Sequence, residues 1–88
     1  MKISEEKKNK ISEQILSLLY DSFPNSKFTA HVARELARDE EFIKKILLEL
    51  KYKKLVLEVN QNSKGITYIK RSRWRLSNNS YNAYKNSL

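Results

Sequence analysis

The spacing of apolar residues changes after Lys54, and that change limits what this chain can fold into. Before it, apolar residues recur every three or four positions. Ile11, Ile15, Leu18 and Leu19 fall on one helical face, and Phe42, Ile43, Ile46, Leu47 and Leu50 fall on another. After it come LVLEV and ITYIKRSRWRL, rich in branched and aromatic residues and separated by NQNSKG, a turn cluster that holds the chain's only Gly. A switch from a period of about 3.6 residues to one of about two predicts helices followed by a β-hairpin. A chain of 88 residues has room for one small core. The expected fold class is therefore α+β, mostly helical, as a single domain over 1–88.

Local signals set the expected boundaries. A first helix over 4–23 ends at Pro24, which lacks an amide donor and disfavours helical geometry in the residue before it. Thr29 is the expected N-cap of a short second helix over 30–37, with Phe28 packing on Ala33 and with Val32, Ala33, Leu36 and Ala37 facing inward. Asp39 is the expected cap of a longer third helix over 40–53, with Glu40 and Glu41 in its first turn. A short helix followed so closely by a longer one is the arrangement of a helix-turn-helix. The hairpin is expected over 55–76, in a register the sequence leaves open. Ser77 then caps a last helix over 78–87, with Tyr81, Tyr84 and Leu88 as a narrow apolar stripe.

Eighteen Lys and Arg against ten Asp and Glu leave a net charge of +8, which attracts polyanions. The excess is not spread evenly. Between Lys51 and Leu76 stand eight basic residues and one acid, Glu58, so this stretch carries seven of the eight net positive charges. A nucleic-acid-binding module concentrates charge in this way on the face that meets phosphates. The absence of cysteine removes disulfides and thiolate metal sites, and His31 is the only histidine, so no cofactor or metal is expected. No glycine-rich phosphate loop or persuasive catalytic set occurs, and an enzyme is not expected. No signal-peptide core or membrane-length apolar run is present, so a soluble cytoplasmic protein with no membrane association and no small-molecule substrate is expected.

Specific stretches resemble the winged helix-turn-helix family. FTAHVARELA is similar to its second helix, EEFIKKILLELKYKKLV to its third helix running into the first wing strand, and RWRLS to the close of the second wing strand in archaeal and bacterial regulators of the MarR, ArsR and PadR kinds. The resemblance covers roughly Lys10 to Ser77. It implies a three-helix core with a β-hairpin wing and a short C-terminal helix. The third helix would enter the DNA major groove, the wing would follow the backbone or minor groove, and the last helix would help form a homodimer.

The candidate phosphate contacts are Lys44, Lys45 and Lys51 on the third helix, and Lys64, Lys70, Arg71, Arg73 and Arg75 on the hairpin. Arg71, Arg73 and Arg75 alternate with Ser72, Trp74 and Leu76. Packing Trp74 and Leu76 inward would turn the arginines to water or a ligand. The alternative is a basic strand edge that discourages aggregation. Trp74 with Tyr68 as a base-stacking platform conflicts with that alternation. Asn60, Gln61 and Asn62 fit turn chemistry. Glu40 and Glu41 suit phosphate poorly, and Leu48 stands opposite the core stripe, where it would touch a thymine methyl, meet a partner protein or simply be exposed. Tyr81 and Tyr84 either meet a partner or pack on the first helix. Three readings follow: a duplex-DNA-binding transcriptional regulator, a winged-helix protein-interaction module, and an RNA-binding protein using the basic hairpin.

Overall fold

The computed structural model describes residues 5–59 and 72–87. Its elements are α1 (Glu5–Ser22), β1 (Lys27–Phe28), α2 (Thr29–Glu35), α3 (Glu40–Tyr52), β2 (Val56–Val59), β3 (Arg73–Leu76) and α4 (Asn78–Asn86). The three short strands form one antiparallel sheet in the order β1-β3-β2. This is the winged helix-turn-helix architecture, α+β and mostly helical. Among the described residues, no helix is long and apolar enough to cross a membrane.

The first three helices each contribute one stripe to a common core: Ile11, Ile15 and Leu19 from α1, Val32 and Ala33 from α2, and Ile43, Ile46, Leu47 and Leu50 from α3. Leu18 sits half-buried at its margin rather than inside it. The sheet closes the core with Val56, Trp74 and Leu76, and Trp74 is the largest fully buried side chain. The register pairs Val56 with Leu76 and Glu58 with Trp74, which puts these four on the inner face. The outer face carries Leu57 opposite Arg75, and Val59 and Phe28 on either side of Arg73.

The caps explain the helix ends, and two differ from expectation. Asp39 accepts from the Phe42 amide at 3.0 Å, and Ser77 accepts from the Ser80 amide at 3.2 Å. Thr29 does not cap α2. The N-cap is Phe28, with no side-chain cap bond, and Thr29 is itself the buried first residue of the helix. Its hydroxyl accepts at 2.7 Å from the indole Nε1 of Trp74, a donor that would otherwise lie unsatisfied in the core. α2 also ends at Glu35, earlier than the apolar spacing suggests, because Ala37 adopts φ 53° and points outward. The Arg38 and Ala37 amides then donate to the Ala33 and Arg34 carbonyls, forming a Schellman closure. α3 closes in the same way, with Lys54 at φ 64° and the Leu55 and Lys54 amides donating to Leu50 and Lys51. Both left-handed positions hold a residue with a Cβ where glycine is favoured.

Candidate nucleic-acid interface

An α-helix turns by about 100° per residue, so residues 41, 44, 45, 48 and 52 of α3 lie opposite the buried Ile43, Ile46, Leu47 and Leu50. All five are exposed: Glu41, Lys44, Lys45, Leu48 at 42%, and Tyr52 at 89%. The ridge is held in place from behind. The polar chain that fixes it starts at Thr29, whose amide donates to the Ser72 carbonyl at 3.3 Å. It continues from the Ser72 hydroxyl to the Glu58 carboxylate and ends where Lys51 Nζ donates to Glu58 at 2.8 Å. The start of α2, the residue before β3, strand β2 and the last turn of α3 are thereby joined. On the other flank, Lys8 Nζ lies 2.6 Å from Glu49, tying α1 to α3.

These pairs sort the candidate lysines. Lys51 is exposed but already paired with Glu58, which the sequence reading did not anticipate. The Lys51 hydrogen bond, then that of Ser72, holds the Glu58 carboxyl below its usual value, although burial acts in the opposite sense. The Glu49 hydrogen bond raises the Lys8 ammonium above its usual value. The ion pairs among described residues are Lys8–Glu49, His31–Glu35 and Lys51–Glu58, and Lys44 and Lys45 take part in none of them. Lys44 also lines an open depression of about 430 Å³ with His31, Arg34 and Glu40, where the start of α2 faces the start of α3. Nothing in the apolar spacing singled out Arg34. Its place beside Lys44 depends on how α2 and α3 cross.

The hairpin arginines are less available than alternation suggested. Trp74 and Leu76 do turn inward, and Arg73 and Arg75 are half-buried. The Arg73 guanidinium lies 5.5 Å from the centre of the Phe28 ring, and that of Arg75 lies 5.9 Å from the Phe23 ring and donates to the Leu76 carbonyl at 3.1 Å. β3 is moreover the central strand, so protection of a sheet edge is not the reason for its arginines. Burial of Trp74 removes the stacking platform proposed with Tyr68. Lys64, Lys70, Arg71, Tyr68, Asn60, Gln61 and Asn62 lie outside the described residues, as does Leu88. Tyr81 and Tyr84 pack within the chain: Tyr81 stacks on Phe23 at 4.0 Å and on Tyr20 at 5.1 Å, and Tyr84 meets Tyr20 at 4.7 Å. His31 Nε2 lies 3.4 Å from Glu35 across one helical turn. Among the described residues, no group of three or more acids or histidines is placed to hold a metal.

This geometry defines a winged helix-turn-helix module, and comparison with solved structures returns the same fold. A double mutant of Lactococcus lactis ZitR in apo form superposes with a TM-score of 0.71 at 20% identity, covering 93% of this chain and 57% of that one. A MepR mutant from a multidrug-resistant S. aureus clinical isolate gives 0.66 at 17% identity, covering 89% and 53%. An S. aureus MepR mutant bound to an oligodeoxyribonucleotide gives 0.60 at 16% identity, covering 94% and 68%. Both proteins are winged-helix regulators of the MarR kind, and the likeness to that fold is what these identities establish. The chain spans little more than half the length of the ZitR chain. No protein-family model and no curated protein sequence matches it.

Proposed function

We propose that this chain binds duplex DNA and acts as a transcriptional regulator, with the outer ridge of α3 set in the major groove. The observation that carries the reading is the state of Lys44 and Lys45. They stand exposed on the ridge outside the ion pairs, while the acids on either flank, Glu49 and Glu58, are already neutralised by Lys8 and Lys51. Two exposed cations outside any close ion pair, on the outer side of such a helix, fit the two phosphate walls of a groove about 12 Å wide. A MepR variant of the same fold bound to an oligodeoxyribonucleotide supports the reading.

Further phosphate contacts in the proposal come from Lys64, Lys70 and Arg71, which lie in the sequence between β2 and β3, with Arg73 and Arg75 at the base of that segment. The proposal includes a homodimer. Tyr81 packs on Phe23 and Tyr20, so the dimer contact in the proposal is the open apolar depression of about 260 Å³ that Ala83 and Tyr84 of α4 form with Leu16, Leu55 and Leu76. The test is a competition titration of labelled random duplex DNA against single-stranded DNA and structured RNA at two salt concentrations, with sedimentation in parallel. Preference for duplex, affinity falling steeply with salt and a dimeric mass are expected. Negligible binding at low salt would overturn the reading, and preference for RNA would reassign it.

A further inference from the structure

Leu48 stands on the α3 ridge, an apolar residue exposed outside the core. Lys44 and Lys45, four and three positions before it, flank it toward the N-terminus, and Tyr52 follows one turn later. Its branched side chain is 42% exposed beside an open depression shared with Tyr52 and Lys53. What could cover it must also accept the neighbouring lysines. An apolar protein surface would desolvate both ammonium groups without a partner, which is unfavourable, whereas a DNA groove supplies phosphates on its walls and apolar methyl groups on its floor. The ridge from Glu41 to Tyr52 is about 16 Å long at 1.5 Å per residue. That length spans about five base pairs at 3.4 Å each, with Leu48 in its second half.

Resting on the duplex-binding reading above, we propose that Leu48 is a specificity-determining residue that reads the 5-methyl group of thymine in the major groove. Every base pair presents a distinct pattern there, and the thymine methyl is its one apolar feature. Glu41 stands on the same ridge as an acceptor suited to the cytosine amino group and unsuited to phosphate, so the chain's own charges keep this end of the helix over bases rather than backbone.

The test uses the full chain. Binding sites are selected from a randomised duplex library, and each thymine of the selected sequence is replaced in turn by deoxyuridine, which lacks only the methyl. The expected result is a loss of about four-fold at one or two positions, the factor associated with burying one methyl group. Leu48→Ala should bind thymine and uridine duplexes equally there while keeping its duplex affinity at other positions, its salt dependence and its thermal unfolding midpoint. Equal binding of both duplexes by the wild type, with duplex binding intact, overturns the role of Leu48 alone. Absence of salt-dependent duplex binding overturns it together with the reading it rests on. Uridine insensitivity accompanied by loss of self-association in Leu48→Lys assigns the surface to a protein contact and overturns the proposal.

Discussion

The two faces of α3 obey different rules. On the inner face, Ile43, Ile46, Leu47 and Leu50 are each 3% exposed or less, and a smaller or polar residue there would leave a void or a buried polar group in the core. On the outer face, Glu41, Lys44, Lys45, Leu48 and Tyr52 are exposed and lie outside the core. A helix of thirteen residues thus carries two independent messages, one read by the core and one available to a ligand. Substitutions at the first should change stability and leave the ligand preference of the residual folded protein alone. Substitutions at the second should do the reverse.

The largest effect is expected where the inner face meets the sheet. Trp74→Ala empties the most voluminous buried site and should lower unfolding free energy by about 3–5 kcal/mol, measured by urea denaturation. Thr29→Val keeps the shape of the side chain and removes the acceptor of the Trp74 indole, so a loss of about 1–3 kcal/mol is expected in the same assay. A smaller change of opposite sign should follow at the helix ends. Ala37→Gly and Lys54→Gly relieve left-handed backbone and should each raise stability by about 0.5–1 kcal/mol. The smallest effect belongs to Glu58. Its folded-state pKa is depressed below the ordinary 4.5, so its contribution to stability is present above that value and is lost as pH falls through the folded value. Glu58→Gln should therefore flatten the acid side of the stability profile, by no more than about 1 kcal/mol, because its partner Lys51 is half exposed and solvent screens the pair.

The same division explains how far the sequence could be read. The inner stripe of α3, the Asp39 and Ser77 caps and the inward turn of Trp74 all follow from local periodicity and capping chemistry, and the fold is legible from them. Thr29 was misread because a threonine before a helix looks like a cap, whereas its real partner, Trp74, lies 45 residues away in sequence. The same is true of Lys51. Its spacing on α3 suggests an outward cation, and only the β2 register brings Glu58 under it. Arg73 and Arg75 alternate as a stripe should, but β1 adds Phe28 to their face, and a two-residue strand leaves almost no trace in sequence. For Thr29 and Arg73 the missing information was a pairing 45 residues distant, and for Lys51 it was the turn from α3 into β2, neither of which apolar spacing encodes.

The central claim is that Lys44 and Lys45 on the outer face of α3 meet DNA phosphates, and the salt dependence of duplex affinity tests it most directly. Each phosphate neutralised contributes about −0.9 to the slope of log affinity against log salt concentration. The wild type and the Lys44→Ala/Lys45→Ala variant are titrated with the same duplex across a range of salt, and their thermal unfolding is measured alongside. A slope shallower by about two in the variant, with weaker binding to all duplex sequences and unchanged unfolding, is the predicted result. Superimposable slopes for the two proteins would contradict the account.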